Sequence, residues 1–230
     1  MLLAIDTSTD TASLALVENN EVLAELTWRC GQNHTAQLLP HLTHLLEQAR
    51  LDLKSATGII VAKGPGSFNG LRVGISTAKG IALGLGVPLV GISTLEVEAY
   101  QHAHTRLPVC PVFNAGRGEI ATALYRMKGK EWLQLAAEHI TTTDALCSGI
   151  TTRTIFCGDY VTHLAPQLRK ILKQRAIIPP AASRLRRAAF LAELGQQRLQ
   201  AGDHDDPATL QPLYLRRPSI TKPKRNIWRR

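Results

Sequence analysis

Twice along this chain, short runs of Leu, Ile and Val that suit strands give way to apolar positions spaced for helices. That alternation constrains the fold more than any other feature. "LLAIDTS" and "TASLALVE" open it, and "EVLAELTWR" follows Asn19-Asn20, a dipeptide suited to a hairpin turn. From His34 the period changes. Leu38, Leu42, Leu45 and Ala49 recur at helical spacing, Leu39 and Leu46 widen the stripe, and Asn33 is placed to cap the helix. "GIIVAKG" reads as a buried strand, a glycine-rich turn leads into a helix ending near Gly84, and "PLVGIST" reads as another strand. Thr94 starts a helix to about His104. The order is β-β-β-α-β-α-β-α.

After Arg106 the same grammar restarts. "LPVCPVFNA", "EIATALYRM" and "WLQLAAEHI" are three strands, followed by a short helix near Thr143–Ser148, the strand "TIFCG", and helices near Thr162–Gln174 and Ser183–Gln200. This predicts two α/β lobes of related topology, residues 1–105 and 106–215, with a basic tail at 216–230.

Composition sets the outer bounds. At 230 residues, 44% hydrophobic and 20% charged, the chain suits a soluble protein with one large core or two compact lobes. No basic region followed by an apolar core opens the sequence, and Gly80–Ser93, the most apolar stretch, is broken by Pro88 and too short to span a bilayer. Cys30, Cys110, Cys147 and Cys157 form no C-x-x-C pair, so reduced thiols in a cytoplasm are expected. The net charge of +9 is a property of the tail. Residues 216–230 carry seven Arg or Lys, and setting them aside leaves 20 basic residues against 18 acidic. Arg216, Arg217, Lys222, Lys224, Arg225, Arg229 and Arg230 could meet nucleic-acid phosphates while Trp228 stacks on a base; a solvated terminus is the alternative.

The stretch "AKGPGSFNGLRVGIST" matches neither standard phosphate loop. A Walker A loop needs G-x-x-x-x-G-K-[ST], and here Leu71 and Arg72 follow Gly70; Asn69 stands where the dinucleotide fingerprint needs its third glycine. Gly70, Gly74, Ala78 and Ala82 fall at successive i+4 positions, beside a stripe containing Leu71, Ile75 and Leu85. Glycine inside a helix costs about 1 kcal/mol relative to alanine. Either a second helix approaches this ridge from outside, or the ridge packs on the protein's own sheet. "AIDTST" ends the first strand with Asp6, Thr7 and Ser8, either as a nucleotide-proximal turn or as a hydroxyl turn capping its own backbone. His41 and His44, and His102 and His104, lack the i, i+4 spacing and the acidic neighbour of a metal-binding helix, so no metal site is expected. No G-x-S-x-G elbow is present.

Taken in order, "AIDTST", "HTAQLLPHL", "GPGSFNGLRVGISTAKGIA", "GISTLEVEA", "AGRGEI" and "PLYLR" resemble the TsaB (YeaZ) family of the bacterial tRNA threonylcarbamoyladenosine machinery. The resemblance implies an actin-like ATPase (ASKHA) fold of two tandem lobes. It implies the catalytic paralogue TsaD as partner, TsaE joining the pair, and a homodimer when TsaD is absent. Leu38, Leu42, Leu45, Gly70, Leu71, Gly74, Ile75, Ala78 and Ala82 are then expected to form the docking surface. TsaD-like proteins carry an H-x-x-x-H pair after the "GIST" strand; here that region reads Ser93-Thr94-Leu95-Glu96-Val97-Glu98-Ala99. Asn114 stands where the second lobe's first strand commonly ends in Asp, and Asn69 where Thr is common. The resemblance therefore implies a cytoplasmic, non-catalytic subunit with no cofactor of its own, ATP and a metal ion being bound by its partners. A self-sufficient metal peptidase or ATPase and a stand-alone tRNA-binding module are the competing readings.

Overall fold

The computed structural model describes residues 1–216. The first half runs β1 (Leu2–Asp6), β2 (Thr11–Glu18), β3 (Glu21–Arg29), α1 (His34–Ala49), β4 (Gly58–Gly64), α2 (Phe68–Leu85), β5 (Leu89–Ser93) and α3 (Thr94–Tyr100). The second runs β6 (Val109–Gly116), β7 (Glu119–Lys128), β8 (Glu131–Thr141), α4 (Thr143–Gly149), β9 (Thr154–Cys157), α5 (Val161–Leu172), β10 (Ala176–Ile177) and α6 (Ala188–Gln200).

Each half builds a five-stranded mixed sheet. The first has the order β3-β2-β1-β4-β5, with β1–β2 and β2–β3 antiparallel and β1–β4 and β4–β5 parallel. Read from its hairpin edge, the second runs β8-β7-β6-β9-β10 with the same directions. The repeat predicted from strand order is therefore a repeat of topology. β4 and β5 are near-continuous apolar runs because helices or the other lobe cover both their faces. β3 and β8, at the edges, are half-exposed. Asn19 and Asn20 both take positive φ, 50° and 66°, as a tight hairpin turn requires.

Three expectations about helices are corrected. The helix begun at Thr94 ends at Tyr100, not near His104, and a separate short turn follows at Ala103–Thr105. Residues 183–200 read as one helix of the second lobe. The chain instead makes a short helical turn at Ala181–Arg184, extends through Leu185 and Arg187, and only then enters α6. Moreover, α6 leaves the second lobe and packs on the first sheet: Leu191 and Ala192 meet Ala4, Ala15, Ile60 and Val90. The first sheet is thus sandwiched, with α1 and α2 on one face and α6 on the other. Helix α3 sits between the sheets, where Leu95 and Ala99 join Val109 and Tyr125 of the second lobe. Asn33 does precede α1, but its side chain makes no capping hydrogen bond.

Candidate functional site

Three elements bring charge into the buried seam between the lobes. β1 ends in Asp6, α3 contributes Glu98, and the extended residues before α6 contribute Arg186; these are 1%, 0% and 4% exposed. Arg186 Nε donates to Asp6 Oδ2 at 2.6 Å, and its Nη1 donates to Glu98 Oε2 at 3.3 Å. Nη2 donates to the hydroxyls of Ser8 (3.1 Å) and Thr9 (2.9 Å). Asp6 Oδ1 accepts from both the amide and the hydroxyl of Ser8. Glu98 Oε1 also accepts from the Gly158 amide and the Gln101 side chain, each at 2.9 Å. Buried charges persist only when paired and hydrogen-bonded in this way.

Burial pushes the Glu98 carboxyl up to about 7, although Arg186 pulls the other way. Burial alone would make Arg186 lose its proton more readily, but Asp6, Asp159 and Glu98 outweigh it and raise its pKa further. The turn read as nucleotide-proximal is therefore closed. Asp6 faces Arg186, and Thr7 donates its hydroxyl to the Gly70 carbonyl at 2.7 Å, so Asp6, Thr7 and Ser8 are internal packing and capping groups.

Above this seam an open cleft of about 660 Å³ separates the lobes. Its walls include Thr9, Asp10, Arg29 and Ser67 from the first lobe, Asn114 and Asp159 from the second, and the returning segment Leu213–Arg216. Asn114 uses its Oδ1 to accept from the Gly116 amide. Arg216, expected among free tRNA contacts, instead pairs with Glu119 and donates to the Ala115 carbonyl at 3.0 Å. Arg217, Lys222, Lys224, Arg225, Trp228, Arg229 and Arg230 lie outside the described residues.

The expected docking residues do not form a surface. Leu38, Leu42, Leu45, Gly70, Leu71, Gly74, Ile75, Ala78 and Ala82 are all buried, and face β1 or the neighbouring helix of their own lobe. A Cβ on Gly74 would overlap Thr7 Oγ1, and one on Gly70 would overlap the Thr7 carbonyl. The glycine ridge admits the β1–β2 turn, not a partner. The same two helices do carry apolar groups outward: Leu39 of α1 is 55% exposed, and Phe68 and Leu83 of α2 are 39% and 66% exposed. Gly80 and Gly84 also lie on that outer face, with no atom within 4 Å of an added Cβ.

Nothing in the sequence singles out Arg186, because "SRLRRAAF" looks like continuous helix. The four cysteines are free and buried. No group of three or more His, Cys, Asp or Glu is placed to hold a metal among the described residues, and no described helix is long and apolar enough to cross a membrane.

A solved structure described as YeaZ from Pseudomonas aeruginosa superimposes with a TM-score of 0.78 at 24% identity, covering 92% of this chain and 99% of that one. The ROK hexokinase from Thermus thermophilus gives 0.51 at 10% identity, over 87% and 99%. With two lobes of one topology around a cleft, the chain has the actin-like ATPase fold. The family model for TsaD, tRNA N6-adenosine threonylcarbamoyltransferase, matches residues 28–224. The tRNA threonylcarbamoyladenosine biosynthesis protein TsaB of Bacillus subtilis (strain 168) is 30% identical over 94% of this chain and 93% of its own length. Its namesake in Escherichia coli (strain K12) is 36% identical over 54% of each. The chain belongs to the TsaB (YeaZ) family, within the wider group that the TsaD model describes.

Proposed function

We propose that the chain is a non-catalytic subunit of the complex that transfers a threonylcarbamoyl group to N6 of the adenosine next to the anticodon of tRNA. It docks onto TsaD, helps recruit TsaE, works in the cytoplasm, and self-associates through the same face when TsaD is absent. One observation carries the non-catalytic part: the Asp6 carboxylate, which an actin-like ATPase would need free at the first strand's end, is neutralised by Arg186 2.6 Å away. A metal or phosphate approaching Asp6 would have to displace a buried guanidinium. ATP and a metal ion then belong to the partner subunits, and the tail beyond Arg216 contributes phosphate contacts to tRNA within the complex.

The docking face in this reading is the outer side of α1 and α2. Ser76, Gly80 and Gly84 recur at i+4 on exposed α2, flanked by Leu83, and two glycines inside a helix with nothing over them have no internal packing reason. The test is co-purification with the same organism's TsaD. Leu83→Glu and Gly80→Trp should abolish the complex and leave the isolated chain folded. A complex of unchanged affinity refutes the docking face, and ATP turnover by the isolated chain refutes the non-catalytic reading.

A further inference from the structure

Glu96 and Glu98 lie two residues apart on α3, and therefore point about 200° apart around the helix. Glu98 faces Arg186. Glu96 instead lines a separate pocket of about 330 Å³ between the lobes, which shares no residue with the main cleft. Its walls come from β4, β5, α3, the β7–β8 hairpin and α6.

This pocket holds two buried polar atoms without a partner. Ser93 is the N-cap residue of α3 and is 6% exposed, yet its side chain caps nothing and its Oγ has no hydrogen bond. The Trp132 indole Nε1 is likewise buried and unbonded, although its ring is fixed by stacking on Tyr125 with centroids 5.5 Å apart. Such atoms are rare because each forgoes its bond to water. The two lie close to Tyr125 and Glu96 respectively, without reaching hydrogen-bonding geometry. The Tyr125 hydroxyl itself is occupied, at 3.4 Å from Glu138 Oε1 and 3.3 Å from Gln134 Nε2.

Lys63 and Arg198 act on Glu96 from a distance, but no close ion pair forms around these atoms. Glu96 and Glu138 have no ion-pair partner within 4 Å among the described residues, and neither has Lys63. Lys63 runs its stem over Gly91, where an added Cβ would stand 3.1 Å from the lysine Cδ. Arg198, at the rim, is committed to Asp203 (2.6 Å), Asp205 (3.2 Å) and the Gly91 carbonyl (3.0 Å). The pocket thus presents two carboxylates and one ammonium with no ion pair within 4 Å, and two hydrogen-bonding groups without a partner.

We propose that this pocket binds a small zwitterionic amino acid, its ammonium held between Glu96 and Glu138 and its carboxylate met by Ser93, Trp132 and Lys63. The donor set excludes two simpler occupants. A metal cation would leave the indole N–H unanswered, since that group only donates. An anion would meet two carboxylates. Water would satisfy the hydroxyl and the indole, and the part-exposed Glu96 and Glu138 can be solvated, so water is the competing occupant that the titration below separates from an amino acid. The volume is near the lower end of small-molecule sites, about 300–1,000 Å³.

The experiment is calorimetric titration of the full chain with L-serine, beside its two halves, ethylammonium and acetate. L-serine should bind saturably, and each half at least about tenfold more weakly. Ser93→Ala and Glu96→Gln should each weaken L-serine binding by about tenfold, whereas Asp10→Asn in the main cleft should not change it. Ser93→Ala removes a hydroxyl that bonds to nothing, so it leaves the thermal midpoint unchanged, and its loss of binding cannot be ascribed to unfolding. Absence of saturable heat with L-serine overturns the proposal. So does equal affinity for ethylammonium, or binding that Ser93→Ala preserves and Asp10→Asn abolishes.

Discussion

Replacing Arg186 by Met keeps an unbranched apolar stem in the seam and deletes the charge that faces Asp6 and Glu98. Removing one partner of a buried ion pair costs about 3–5 kcal/mol, because the remaining charge is stranded. Here two carboxylates are stranded, at 1% and 0% exposure, but they do not contribute equally. Glu98 already sits at about 7 and escapes by taking a proton near neutrality. Asp6 is held by Arg186 at 2.6 Å and by the two Ser8 donors, so its carboxylate carries most of the loss. The expected cost is therefore about 3–5 kcal/mol rather than twice that. Against a typical domain stability of about 5–15 kcal/mol this is a large fraction. Urea denaturation at pH 6, where Glu98 holds its proton, read by the midpoint and its slope, measures it. Asp6→Asn in the Arg186→Met background should recover more than half of the loss, since a neutral amide can keep the Ser8 contacts. A loss below about 1 kcal/mol, or no recovery in the double variant, refutes the claim that Arg186 compensates the buried Asp6 carboxylate.

The other predictions use the same logic at other positions. Glu98 has its pKa raised from 4.5 to about 7, so its stabilising contribution is present below pH 4.5 and lost as pH rises through 7; Glu98→Gln should flatten that part of the stability–pH curve. Buried His102 has its pKa lowered from 6.5 to about 4, mainly by burial, so its contribution is present above pH 6.5 and lost as pH falls through 4; His102→Leu should remove that slope in acid titrations. Gly74→Ala should cost about 1–3 kcal/mol by overpacking against Thr7 Oγ1, and the cost should largely vanish when Thr7→Ala is added, as a double-mutant cycle would read. Gly80→Ala and Gly84→Ala should each raise the isolated chain's stability by up to about 1 kcal/mol while weakening its complex with TsaD. Deleting residues 217–230 should lower the salt slope of tRNA binding to the TsaD complex by about 2 to 4, and an unchanged slope would mean the tail meets no phosphates.

Much of the architecture was legible because it rests on local rules. The Asn19-Asn20 hairpin, the switch of period at His34 and the restart after Arg106 each depend on a few neighbouring residues, and all appear in the fold. The path of α6 was not legible. Its apolar residues, including Leu191 and Ala192, show only that it must pack on something; nothing local says that the first sheet's open face, and not the second, receives it. The same limit hid Arg186. A charged residue before a helix ordinarily faces solvent, and only the crossing of α6 carries this one back to Asp6, 180 positions earlier. The unpaired atoms at Ser93 and Trp132 were equally out of reach, since being unpaired is a property of surroundings contributed by both lobes.

The glycines of α2 show how one sound inference can point to the wrong face. A helix that tolerates glycine must gain something from the missing Cβ. At Gly70 and Gly74 the gain is internal: the backbone of α2 comes close enough to β1 for the Thr7 hydroxyl to donate to the Gly70 carbonyl at 2.7 Å. At Gly80 and Gly84 nothing inside the protein occupies the space, so the helix bears the propensity cost without any internal contact in return. Periodicity cannot separate these cases from sequence alone, because Gly70, Gly74, Ala78 and Ala82 form one i+4 row and Ser76, Gly80 and Gly84 form another. Burial separates them: the first row lies against the protein's own β1–β2 turn and core, and the second is open. The two rows therefore make opposite predictions under one substitution. Alanine in the first row destabilises the isolated chain; alanine in the second stabilises it, and any cost appears only when a partner is bound. If Gly80→Ala and Gly84→Ala stabilise the chain and leave the TsaD complex as tight as before, the outer face of α2 is not the docking surface.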